Sequence, residues 1–231
     1  MDQIYYKDII NYKDIINCLN YTSIYFIGLY FLITILVIYL CSKDKRIGII
    51  VSILLLFVLC FVPYTIGYLP VTMIKLMLIV FGSFLLFFSL IFKCIQEIVN
   101  NVLTTFVRLN IFGLIITTNN IFLIVSLLFL TITTPIFTVQ NNKVKMENMI
   151  ISKNLWVLLY TIVLIFYHLL NPHFCHNLSL AILTVIIPCF MHFLHNNFLE
   201  SRALSLYIFI IFDIFNNSKK NINNLIHESK Y

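Results

Sequence analysis

The side chains best suited to chemistry are crowded into the last third of the chain. All six histidines lie there, five of them (His168, His173, His176, His192 and His195) within one stretch that also holds Cys175 and Cys189. His192 and His195 stand three apart and share a helix face with Cys189. Imidazole and thiolate suit zinc, copper or iron, so these three are the candidate metal ligands. No HExxH, paired HxxHH box or CxxC accompanies them. The competing reading is that His and Tyr are simply enriched near the ends of apolar segments, with no metal and no cofactor.

Two further ionisable groups interrupt apolar sequence: Arg108, about halfway along one run, and Asp213, near the end of another. Charges inside a membrane span are costly and mark ion paths or internal pairs. Arg108 reads either as such a counter-charge or as an interfacial side chain that snorkels. Asp213 reads either as an ion-path group or as a carboxylate solvated at a helix end. Nucleotide and phosphate chemistry has no support, because none of the five glycines stands in a GxGxxG or P-loop arrangement. No Ser-His-Asp order stands near a soluble loop, so the chain is not expected to be an enzyme. Two glycosylation sequons, Asn20-Tyr21-Thr22 and Asn177-Leu178-Ser179, abut apolar runs.

The elements that must position these groups follow from composition. The chain of 231 residues is 61% hydrophobic and only 10% charged, against roughly 25% charged in soluble domains. Too little charge exists to clothe a surface in water, and too much apolar surface exists for disorder. A polytopic helical membrane bundle, all-α, is what remains. The six cysteines form no framework spacing and read as small buried hydrophobes. The net charge of +6 sits mostly in loops, so it reports topology rather than nucleic-acid binding.

Three regions are expected: a short polar N-terminal segment (1–20), a transmembrane domain (21–215) and a basic C-terminal tail (216–231). The first contains a tandem YKDIIN and no cleavable signal. Apolar runs then predict spans at Tyr21–Cys41, Ile47–Tyr68, Pro70–Phe92, Ile98–Thr118, Ile121–Val139, Leu155–Leu170 and Leu178–Leu194. A last run, Ala203–Phe215, has about 13 residues, or roughly 20 Å of helix, too short to cross alone. Seven spans plus a short, protein-enclosed C-terminal helix therefore result, with Leu206, Phe209 and Ile210 buried. Basic residues alternate by loop: Lys43–Arg46, Lys93, Lys143–Lys153 and Arg202 fall on one side, taken as cytosolic, and Asn119-Asn120 and Pro172–Asn177 on the other.

The C-terminal half resembles a family. Ala203-Leu204-Ser205-Leu206-Tyr207-Ile208-Phe209-Ile210-Ile211-Phe212 is similar to the closing signature of transmembrane Bax-inhibitor-motif proteins, roughly ALNLYLDIINLF. Cys189–His195 looks like the end of that family's sixth helix, and Thr133-Thr134 with Phe137–Gln140 like its loop entry. Phe81-Gly82-Ser83 falls at a small-residue step of its second helix. The likeness covers about 160 residues, from Ile47 to Phe215, with Tyr21–Cys41 as an extra span. It implies six helices wrapped around the last one, and two aspartates forming a proton-sensitive latch on a cation leak. His195 stands at one aspartate position and Phe209 at the other, with Asp213 one turn later on the same face. The resemblance thus implies a His195–Asp213 latch near the cytosolic end.

By this reading the protein is an ion-leak or cell-death modulator of an internal membrane, the endoplasmic reticulum or Golgi rather than the plasma membrane. Its partners would be the bilayer, cations such as calcium, and other membrane proteins. The alternative is a non-transporting scaffold or assembly protein, of the kind a virus could encode. A membrane metalloenzyme built on the His/Cys cluster is the third reading.

Overall fold

The computed structural model describes residues 24–61, 70–147, 149–170 and 178–212. Among them are eight α-helices and one β-hairpin. The helices are α1 (Ile24–Lys43), α2 (Arg46–Phe61), α3 (Pro70–Ser89), α4 (Gln96–Ile116), α5 (Ile121–Ile132), α6 (Lys153–Leu170), α7 (Leu178–His195) and α8, over 198–212. Long apolar runs, interrupted from within only by Pro188 of α7 among the described helices, make these helices, because helical geometry satisfies backbone groups without water. Polar residues mark their ends. Asp44 Oδ1 accepts from Arg46 N (2.9 Å) at the start of α2, and Asn120 Oδ1 accepts from Phe122 N (3.0 Å) and Leu123 N (3.2 Å) at the start of α5.

Helices α1 to α7 each pack on the next in sequence, and α7 packs back on α1. The result is a closed ring. A Cβ on Gly48 of α2 would stand 2.3 Å from the Phe87 ring of α3, so any larger residue would force that buried ring to move. Every ring helix turns large apolar side chains outward, among them Leu32, Leu54, Phe81, Leu109, Phe122, Ile162 and Phe190. Helix α8 is different: no residue over 198–212 is exposed. It touches α1, α2, α3, α6 and α7 through hydrogen bonds or rings, so the ring surrounds it. Leu206 and Phe209 are half-buried and Ile210 is buried.

Among the described residues four helical segments are long and apolar enough to cross a membrane: Tyr25–Lys43, Lys93–Ile116, Lys153–Leu170 and Leu178–His195. The expected fifth span, Ile121–Val139, is corrected. Helix α5 stops at Ile132 after 12 residues, about 18 Å. Thr133 and Thr134 turn their hydroxyls back onto Phe129 O (2.8 Å) and Leu130 O (2.7 Å), and Pro135 cannot continue the ladder. The chain then forms an antiparallel hairpin, β1 (Ile136–Gln140) with β2 (Lys143–Glu147), so the fold is mainly rather than wholly helical. Asn141 and Asn142 close it with φ of 52° and 59°, the left-handed pair that a two-residue hairpin turn demands. Strand β1 lies against α4, where Thr104 Oγ1 accepts from Phe137 N (2.9 Å) and Asn100 Oδ1 from Val139 N (2.6 Å). Asn100, a polar residue inside the expected fourth span, is thus part of the hairpin's dock.

Candidate functional site around the central helix

Helix α8 begins at Phe198, after two intervening residues and five residues before its apolar run starts at Ala203: Phe198 to Arg202 are helix, not loop. Glu200, Ser201 and Arg202 are therefore carried into the bundle, and all three are buried. Glu200, in the first turn, forms an ion pair with Lys45 of the α1–α2 turn. Its carboxylate also lies at the favourable, positive end of the helix dipole.

One turn deeper, a proline creates the next fastening. Pro188 interrupts α7 from within. It lacks the N–H that would bond the carbonyl four residues back, and that carbonyl belongs to Thr184. Thr184 O instead accepts from Arg202 Nη1 (2.7 Å) and Ser205 Oγ (2.9 Å) of α8. Thr184 Oγ1 accepts a further bond from Arg202 Nη1 (2.9 Å) while donating to Ala181 O (2.7 Å). From the other flank, Tyr30 of α1 donates its hydroxyl to Ser205 O (3.0 Å). Deeper again, Tyr207 Oη donates to Val80 O of α3 (3.0 Å) and lies 3.0 Å from Ser52 Oγ of α2. The helix is also wedged by rings at both ends. Phe198 stands edge-on to Trp156 and Tyr160 (centroids 6.0 and 5.4 Å), and Phe212 packs on Phe26 and Tyr30 (5.0 and 5.5 Å).

The residues singled out by sequence fall elsewhere. His192 is buried and its Nε2 lies 3.0 Å from Asn154 Oδ1 of α6, so it binds two helices together. His195, the last residue of α7, is exposed, and Cys189 is half-buried. Among the described residues no group of three His, Cys, Asp or Glu side chains could hold a metal ion. Arg108 is exposed on α4. Asp213, His173, Cys175 and His176 lie outside the described residues, as do Cys18, both sequon asparagines, and the 1–20 and 216–231 segments.

Of the implied His195–Asp213 latch only His195 is among the described residues, so only the two aspartate positions of the resemblance, His195 and Phe209, can be placed. His195 precedes α8, whereas Phe209 lies eleven residues past its first residue, about 16 Å along the axis. The structure does not bring His195 beside Phe209. It brings together Lys45 with Glu200, and Arg202 with Thr184. Sequence reading placed Arg202 in a charged loop because the apolar run starts only at Ala203; Pro188, four residues after Thr184, was the available signal. Comparison with protein-family models, curated proteins and solved structures finds no match to this chain.

Proposed function

We propose that this is a multi-pass protein of an internal membrane, endoplasmic reticulum or Golgi, of the Bax-inhibitor type. In this reading it restrains a leak of calcium or another cation and so influences cell-death signalling. The observation that carries the reading is the enclosure of the 198–212 helix, which holds the family-like ALSLY segment, inside a ring of helices. This reading takes the restraint from side chains other than the His195–Asp213 pair. Lys45–Glu200 and Arg202–Thr184 hold the central helix near the end where the basic loops gather. Releasing them would let α8 shift against the ring and open a path.

A second reading has one observation in its favour. Arg202 places a positive charge on the central helix with no carboxylate in ion-pair distance among the described residues. Fixed positive charge repels cations from a path, which suits a non-transporting scaffold. Reconstituted vesicles separate the two. Glu200→Gln and Arg202→Gln should each raise cation flux several-fold over a low wild-type level if a leak is being restrained. Absence of flux in all three, with the proteins folded, would leave the scaffold.

A further inference from the structure

Between α3, α4 and the central helix the bundle leaves a cavity of about 370 Å³, a size at which small molecules bind. Its wall on α4 runs from Leu103 to Thr117, about 21 Å by helical rise. Leu109, Phe112 and Ile116 on that wall are also exposed on the outside of the molecule. The cavity therefore opens sideways, to the face that would meet acyl chains.

Arg202 stands on the inner wall, 8% exposed. Thr184 satisfies Nη1, but Nε has no acceptor, and no carboxylate among the described residues lies within ion-pair distance. A guanidinium held out of water without a counter-charge is costly. A ligand oxyanion would supply that charge.

We propose that this cavity binds a long-chain fatty acid, with its carboxylate on Arg202 and its acyl chain running along α4 to the opening at Leu109 and Phe112. One cation matches one carboxylate, through the paired N–H groups that suit it. A slot of this volume drawn out over this length has room for one chain, not for the two of a phospholipid. Binding here requires no ion conduction, so it stands or falls separately from the leak.

Trp156, the chain's one tryptophan, is the reporter. It stacks on Tyr160 at 5.2 Å and meets Phe198 at 6.0 Å, and both of those rings line the cavity. The full chain in phosphatidylcholine nanodiscs is titrated with 9,10-dibromostearic acid, its methyl ester, or dibrominated phosphatidylglycerol. The acid should quench Trp156 saturably, with half-saturation raised about tenfold by Arg202→Gln and largely restored by Arg202→Lys. The ester should give only linear, unsaturable quenching. Equal saturation by acid and ester, or an acid curve unmoved by Arg202→Gln, would overturn the proposal. Saturation by the phosphatidylglycerol but not by the acid would overturn it in favour of a phospholipid. Should Arg202→Gln fail to fold, the acid–ester comparison on the wild type decides alone.

Discussion

Helices α5 and α8 are alike in apolar content and opposite in how they use their polar groups. In α5, Ser126 returns its hydroxyl to Phe122 O and Thr131 to Leu127 O, both at 2.8 Å. Such back-bonds hide a hydroxyl within its own helix and ask nothing of a neighbour. In α8, Arg202 and Ser205 reach α7, and Tyr207 reaches α3 and α2. An apolar face alone gives little drive for association within lipid, where tails are as apolar as leucine. Polar bonds between helices therefore decide which helix is held inside. Outward rows of Ile, Val and Phe on α5 are what a lipid-facing helix needs, while α8 has no exposed residue at all.

The contrast can be broken most severely at the rings. Trp156→Ala removes the surface against which Phe198 and Tyr160 are set. It should cost about 3–5 kcal/mol, read as a lower midpoint in denaturant titration followed by circular dichroism. Thr184→Val keeps the shape but withdraws one acceptor from a buried guanidinium. A loss of about 2 kcal/mol is expected, with a matching rise in proteolysis near the α7–α8 junction. Tyr207→Phe frees Val80 O, which sits within its own helix, and Ser52 Oγ, which keeps its bond to Gly48 O, so about 1 kcal/mol should go. Ser126→Ala in α5 should change the same midpoint by less than about 0.5 kcal/mol. A cost at Ser126 equal to that at Tyr207 would erase the distinction between the two helices.

The ring was legible because long apolar runs admit few alternatives: the expected first, fourth, sixth and seventh runs match α1, α4, α6 and α7 to within about three residues at each end. The hairpin was not, since Ile136, Phe137 and Val139 extend the apolar count of α5. Only the turn chemistry of Asn141-Asn142, between residues that alternate apolar and polar, separates them. The roles of Asn100 and Thr104 were likewise hidden, because their partners, Val139 N and Phe137 N, are 39 and 33 residues away. The site was missed for a related reason. A charge beside an apolar run reads as loop, and nothing local to Arg202 reveals that Pro188 leaves Thr184 O open in another helix. His192 shows the converse: a histidine that looks like a ligand is joined to Asn154 across a helix pair.

The central claim is that the C-terminal helix lies inside the ring and meets no bilayer. Carbene labelling from a phospholipid-borne diazirine, read residue by residue by mass spectrometry on the unmodified full chain, tests it most directly. The expected pattern has modification at outward positions such as Leu32, Phe122, Val125 and Phe190, and none above background over 207–212, beyond the residues that line the lateral cavity. Labelling of 207–212 at the level found in α5 would place that helix against lipid and contradict the account.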